Sequence, residues 1–159
     1  MEEKKLAIIA TKGTLDWGYP PFILASTAAA LGYETEIFFT FYGLQLLKKD
    51  LKLEVSPLGN PGMPMPMGMD KWFPVLGTAL PGMQAVMTSM MKKKMASKGV
   101  ASLEELRELS QEAEVKLIAC QMTVDLFEMD TSEFIDGVEY AGAARLFEFA
   151  GESDIGLYI

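Results

Sequence analysis

Short apolar runs alternate with helical segments along this chain, and this alternation restricts the fold more than any other feature of the sequence. The runs predicted as strands are residues 6–10, 36–40, 115–120, 138–141 and 154–159. The segments predicted as helices are residues 16–31, 42–49, 83–98, 103–112 and 143–150, with a further helix that begins at residue 121. Parallel strands need helical crossovers between them, so this order predicts an α/β fold with helices on both faces of a parallel sheet.

Local signals define some of the element ends. Ser102 followed by Glu105 is the pattern of a capping box and predicts a helix that begins at residue 103. Asp16 is a candidate cap for the first helix. Apolar residues alternate with polar ones at Leu51 and Leu53 and again at Val55, so a minor strand is possible there.

Residues 56–82 differ in composition from the rest of the chain. Six prolines and five glycines interrupt this stretch. Prolines and glycines at this density break regular elements, so we expect a Met/Pro/Gly-rich insertion and not part of the core. The whole length of 159 residues fits one domain, residues 1–159, that contains this insertion.

Charge and composition exclude several classes of function. The net charge is −8, and the run Lys92 to Lys94 is short and lies on a predicted helix, so nucleic acid is not an expected partner. The chain has no histidine, which excludes Ser-His-Asp and Cys-His catalysis and imidazole metal sites.

The apolar runs are also too short for a membrane protein. None reaches the roughly 18 residues that a spanning helix needs. The start of the chain is acidic and has only a short apolar run, unlike a signal peptide. A single cysteine fits a reducing compartment, so we expect a soluble, cytoplasmic protein.

Cys120 is the only cysteine, and it lies where a predicted strand meets a predicted helix. Free N–H groups at a helix start favour the thiolate, which is the reactive form. The alternative is a small buried apolar side chain without chemistry. The carboxylates of Asp125, Glu128 and Asp130 would raise the pKa of the thiol, whereas Lys12 would lower it if the first loop lies nearby.

The loop after the first strand is the other place where chemistry is expected. In parallel sheets, ligands gather at the carboxyl ends of the strands, and Lys12 and Gly13 follow one such end. The loop matches neither the Walker nor the dinucleotide-binding glycine pattern. Lys12, Gly13 and Thr123, in the first turn after Cys120, are therefore candidates to support the thiol.

Methionines form a second unusual feature. Within the insertion they alternate at Met63, Met65, Met67 and Met69, and in the next predicted helix they recur at Met83, Met87, Met90 and Met91. Thioethers together with a thiolate select Cu(I), so Cys120, Met122, Met65 and Met67 are an alternative ligand set. A Met-rich adaptable surface is another possibility. The simplest interpretation is a lid followed by an amphipathic helix, with no metal bound.

Several segments together resemble the DsrE/DsrF-like sulfur-relay family, and in particular its DsrE2-type subfamily. They are FILASTAAALG at residues 22–32, IFFTFYGLQLL at 37–47, LIACQMT at 117–123 and IDGVEYAG at 135–142. Their order and spacing resemble the family over nearly the whole chain. The resemblance implies a three-layer α/β/α fold around a five-stranded, mainly parallel sheet, in homo-oligomers.

The same resemblance implies a function for Cys120. In this family the matching cysteine carries sulfur as a persulfide between proteins, so sulfur-donor and sulfur-acceptor proteins are the expected partners, without a cofactor. Some members have a second cysteine and others have spanning helices, and this sequence shows neither. The leading hypothesis is a sulfurtransferase-like carrier. The alternatives are a soft-metal or small-ligand binding oligomer and a structural or regulatory oligomer with an inert Cys120.

Overall fold

Five strands form one sheet in which all neighbouring strands run parallel. In this computed structural model, which describes residues 3–58, 68, 71 and 74–159, the strands are β1 (Lys5–Ala10), β2 (Glu34–Phe39), β3 (Lys116–Cys120), β4 (Val138–Ala141) and β5 (Ile155–Tyr158). Their order across the sheet is β4-β3-β2-β1-β5. Cys120 is the last residue of β3 and pairs with Ala141 of β4.

Helices connect the strands as the alternation predicts. They are α1 (Leu15–Ala30), α2 (Met83–Ser97), α3 (Leu103–Glu112), α4 (Gln121–Leu126) and α5 (Ala143–Ala150). Short 3₁₀-helices lie at Phe41–Leu47, Val75–Ala79 and Thr131–Glu133. The capping box that was predicted for α3 is present, with Ser102 and Glu105 bonded to each other's backbone N–H.

The two faces of the sheet carry separate apolar clusters. On one face, Ile8 and Phe39 pack with Phe22 of α1 and Leu103 of α3. On the other face, a smaller cluster consists of Phe38, Ile118, Cys120 and Leu146 of α5. Helices therefore cover both faces, which confirms the three-layer α/β/α fold. The side chain of Cys120 lies on the face that α5 covers.

An ion-pair network holds α5 against the sheet. Arg145 donates two hydrogen bonds, of 3.0 and 2.7 Å, to the carboxylate of Glu36, which is 3% exposed. Glu139 and Lys116 complete the network. A buried charge is tolerated only when it is paired in this way, so the network fixes α5 where Leu146 reaches the cluster around Cys120.

Two local predictions are wrong. Residues 51–55 form no strand, because their backbone groups bond to helices instead: the carbonyl of Glu54 accepts from Leu15 N–H, and Val55 N–H donates to Thr88. Asp16 does not cap α1. Thr14 is the residue before the helix, and the carboxylate of Asp16 accepts hydrogen bonds from Ser56.

Much of the expected insertion lies outside the described residues, including Met65 and Met67. Among the parts described, Thr78 of the Val75–Ala79 turn donates to the carbonyl of Pro57 at 3.1 Å. The insertion itself stays a prediction. Within the described part of the chain, every helix is too short or too polar to cross a membrane.

Candidate functional site

Cys120 occupies the junction that the sequence predicts, between the end of β3 and the start of α4. It is the residue immediately before the helix and has extended backbone geometry, with φ −66° and ψ 109°. Its side chain is 4% exposed and makes no disulfide. The thiol is therefore held in a mostly apolar setting, with the first N–H groups of α4 directly beyond it.

The surroundings of Cys120 lower the pKa of its thiol. Burial acts in the opposite direction and raises the pKa, but it is outweighed by the hydroxyl and backbone N–H of Thr123, the hydroxyl of Thr40 and the N–H of Met122. The side chain of Cys120 itself makes no helix-capping hydrogen bond at the start of α4. The hydroxyl and N–H groups act mainly on the negative charge of the thiolate, because a charged acceptor gains more from donors than a neutral thiol does.

The two threonines form a small hydroxyl pair beside the sulfur. Their Oγ1 atoms are 3.3 Å apart, and the Oγ1 of Thr123 also accepts the backbone N–H of Phe41 at 3.3 Å. When Thr40 donates to the Oγ1 of Thr123, the O–H proton of Thr123 is available to the sulfur; when Thr123 donates, that of Thr40 is. The pair can therefore direct hydroxyl protons toward the thiolate of Cys120.

Close backbone packing places Thr40 next to β3. A Cβ added at Gly43 would lie 2.2 Å from the carbonyl oxygen of Ala10, and one added at Gly13 would lie 2.2 Å from that of Tyr42. Thr40 N–H also donates to Ala10 at 3.0 Å. Gly13, which the sequence suggests as a supporting residue, therefore belongs to the packing that positions the loop after β2.

Lys12 lies apart from the sulfur in this structure. Its Nζ is 3.6 Å from the centroid of the Trp17 ring, and Lys12 lies in the loop after β1, which β2 separates from β3. The acidic side chains in and after α4 do not prevent the lowering of the Cys120 pKa. One of them, Asp125, accepts a hydrogen bond of 2.7 Å from Gln121. The hydroxyl and N–H groups of Thr123, Thr40 and Met122, and not a nearby lysine, lower the pKa of the thiol.

The alternative metal ligands are only partly visible. Met122 is 63% exposed in the first turn of α4, two residues beyond the buried Cys120. Met65 and Met67 lie outside the described residues. Among the residues that the structure describes, no group of three or more Cys, Asp and Glu side chains is arranged to hold a metal ion.

Sequence reasoning missed Thr40 and the Phe41 N–H. The position of Thr40 could be predicted in part, because Thr40 directly follows β2 and the carboxyl ends of neighbouring parallel strands meet at one edge. The sequence does not say which strands are neighbours. Thr123 could be predicted because it lies only three residues after Cys120.

Known proteins are similar to this chain over nearly its whole length. The sequence profile of the DsrE/DsrF/DrsH-like family matches residues 2–158. The chain belongs to this family. A protein of Allochromatium vinosum named sulfur carrier protein DsrE2 is 84% identical over 159 residues, with all of both chains covered. The uncharacterized protein YrkE of Bacillus subtilis is 33% identical over 164 residues, which cover 99% of this chain and 98% of YrkE.

A solved structure supports the fold assignment. The ychN protein of E. coli superposes with a TM-score of 0.57 at 12% identity, and the match covers 98% of this chain and 99% of ychN. At this identity the likeness concerns the fold alone. It confirms the expected DsrE-like α/β architecture.

Proposed function

We propose that this protein is a sulfur carrier that holds sulfur as a persulfide on Cys120 and passes it to a partner thiol. The observation that carries the proposal is a thiol at a strand end whose pKa is lowered by hydroxyl and N–H donors. The name of the Allochromatium vinosum relative, a sulfur carrier protein, agrees with it. With no second cysteine in the chain, an exchange partner for the sulfur has to come from another molecule.

The proposed chemistry needs two displacements and no added oxidant. The Cys120 thiolate attacks the outer sulfur of a donor persulfide, a new S–S bond forms, and the donor leaves as its thiolate. An acceptor thiolate then attacks the outer sulfur of Cys120–S–SH, and Cys120 leaves as a thiolate. The hydroxyl and N–H groups that stabilise the Cys120 thiolate favour its formation before loading and its departure at discharge.

Loading of Cys120 is tested by the intact mass of the protein after incubation with a small-molecule persulfide. We expect a gain of one sulfur atom per chain that a reductant removes and that blocking the thiol beforehand prevents. Cys120→Ser is the control and should gain nothing. The proposal is wrong if the parent chain never gains the sulfur or if the serine variant gains it too.

The expected partners are sulfur-donor and sulfur-acceptor proteins and further copies of this chain, in the cytoplasm. Self-association is supported by apolar side chains left exposed at the Val75–Ala79 turn and on α2. Leu76 is 75% exposed, Leu80 56% and Val86 54%. Apolar surface of this kind in a monomer commonly marks an interface.

A further inference from the structure

Three aromatic side chains form an exposed cluster beside Cys120. The rings of Tyr42 and Phe127 stack at 5.8 Å, and Phe41 meets Phe127 edge-on at 5.9 Å. Their exposed fractions are 44% for Phe41, 65% for Tyr42 and 39% for Phe127. We call these three residues the aromatic triad. Aromatic side chains are enriched at the centres of protein interfaces and carry much of their binding energy.

The backbone around the aromatic triad is strained. Phe41 has φ +49° and Glu128, next to Phe127, has φ +48°. Left-handed backbone is unfavourable for residues other than glycine and is unusual for a bulky aromatic side chain. Such strain often accompanies a functional position. Phe41 also donates its N–H to Thr123, so the strained residue is directly linked to the surroundings of the sulfur.

Two carboxylates lie close to Phe127 in the chain, with Asp125 two residues before it and Glu128 one residue after it, and we call them the acidic rim. In the described part of the chain, neither carboxylate takes part in an ion pair. Glu128 follows the end of α4, where a negative charge opposes the helix dipole and does not help the fold. The nearby loop contributes Lys12, but its ammonium lies over Trp17.

The charge of the rim distinguishes between possible occupants. A second copy of this chain that presented the same surface would bring carboxylates against carboxylates. A partner with Lys or Arg beside an apolar contact would complement both the rim and the rings.

We propose that the aromatic triad and its acidic rim are the docking surface for the protein that exchanges sulfur with Cys120, and that this partner presents its thiol on an apolar segment flanked by basic residues. The inference rests on the proposed sulfur-carrier function. The aromatic rings supply contact area, and the unpaired carboxylates steer a basic partner toward the sulfur.

Charged model substrates test this surface. Two pentapeptides, Lys–Leu–Cys–Leu–Lys and Glu–Leu–Cys–Leu–Glu, are prepared as mixed disulfides with thionitrobenzoate. The Cys120 thiolate attacks the peptide sulfur and releases the coloured thionitrobenzoate anion, so the exchange rate is read directly. We expect the cationic peptide to react about tenfold faster at low salt and the preference to vanish at high salt.

Matched variants locate the effect. Tyr42→Ala, Phe127→Ala and Glu128→Gln should each slow the cationic peptide several-fold. Tyr158→Ala removes an exposed ring on β5, and Glu112→Gln removes a charge at the end of α3, so both should leave the rate unchanged. Each exchange rate is divided by the rate of reaction with iodoacetamide, a small neutral reagent. This ratio corrects for any change in the reactivity of the thiol itself.

The outcomes separate the docking surface from the sulfur chemistry. If Cys120 accepts sulfur but the two peptides react equally, the docking proposal is overturned and the carrier function stands. If Cys120 accepts no sulfur but the cationic preference and its loss in the variants are observed, the carrier function falls and the surface remains only a docking site for a basic thiol partner. Three other results would each overturn the docking proposal. The triad variants could react with the cationic peptide as fast as the parent chain, they could convert an oligomer to monomers, or Cys120 could be unreactive.

Discussion

At the level of single residues, two threonine hydroxyls help to lower the pKa of the Cys120 thiol. Thr40→Val removes one hydroxyl while keeping the side-chain shape, so the pKa of Cys120 should rise. We expect the alkylation rate at neutral pH to fall about threefold to tenfold, in line with the loss of one ordinary hydrogen bond. Thr123→Val should act in the same direction, and it also leaves the Phe41 N–H without its acceptor.

The pH dependence of the alkylation rate shows in which direction the pKa of Cys120 moves. Alkylation follows the thiolate, so the rate rises as pH increases through the pKa of Cys120 and then levels off. Because the native surroundings lower that pKa, each threonine variant should move the midpoint of the rate profile to higher pH. Thr27→Val, on the exposed side of α1, is the matched control. An unchanged midpoint in Thr40→Val would show that its hydroxyl does not act on the sulfur.

The sequence predicted the position of Cys120 but not its surroundings. An apolar run followed by a helical segment is enough to place the thiol at the end of β3. It does not show that β2 is the neighbour of β3, and this neighbour brings Thr40 to the sulfur. It also does not show the direction of Lys12, whose ammonium takes the Trp17 ring as its partner.

At the scale of elements, the contact between the β1 end and the segment after β2 positions the site. Gly43→Ala would push a Cβ into the carbonyl of Ala10, and backbone cannot move aside as a flexible side chain can. We expect a loss of about 1–3 kcal/mol in the free energy of unfolding, measured by urea denaturation. Slower alkylation of Cys120 should accompany it, because Thr40 moves with this segment.

Gly156→Ala provides the comparison for this prediction. Gly156 lies in β5, and a Cβ there would meet nothing within 4 Å. This variant should be as stable as the parent or slightly more stable, since alanine loses less backbone freedom on folding. Equal stability of the two alanine variants would contradict the close contact at Gly43.

Element prediction succeeded where the signal was local. The helix Leu103–Glu112 and its capping box depend on residues within one turn, and the sequence contains them all. The alternation at Leu51, Leu53 and Val55 was misleading, because its partners are distant. Val55 N–H bonds to Thr88 of α2, and the carbonyl of Glu54 bonds to the start of α1. Buried and exposed residues can alternate along a segment that does not pair with a strand.

At the scale of the whole molecule, the apolar surface at Leu76, Leu80 and Val86 predicts self-association. Light scattering at micromolar concentration should give a mass well above 17.5 kDa. Leu76→Lys with Val86→Lys should shift that mass toward a single chain, because burying unpaired ammonium groups in an interface is costly. A mass of one chain for the parent protein would contradict the prediction.

The α/β architecture could be predicted because crossovers between parallel strands leave few alternatives. The strand order β4-β3-β2-β1-β5 could not be read from the alternation, since every order with right-handed crossovers satisfies the same pattern. The long connection from β4 to the opposite edge runs through α5, whose Arg145 pairs with Glu36, a residue far away in sequence.

One thiol, Cys120, should both accept and release sulfur, and the mass of the chain through one cycle measures both steps. After exposure to a persulfide donor and removal of the excess, the chain should be heavier by one sulfur atom. Addition of an acceptor thiol should return it to its original mass while the acceptor gains that sulfur. Cys120→Ser should stay at its own unmodified mass throughout. A parent chain whose mass never changes, or a gain that the acceptor cannot remove, would contradict the account.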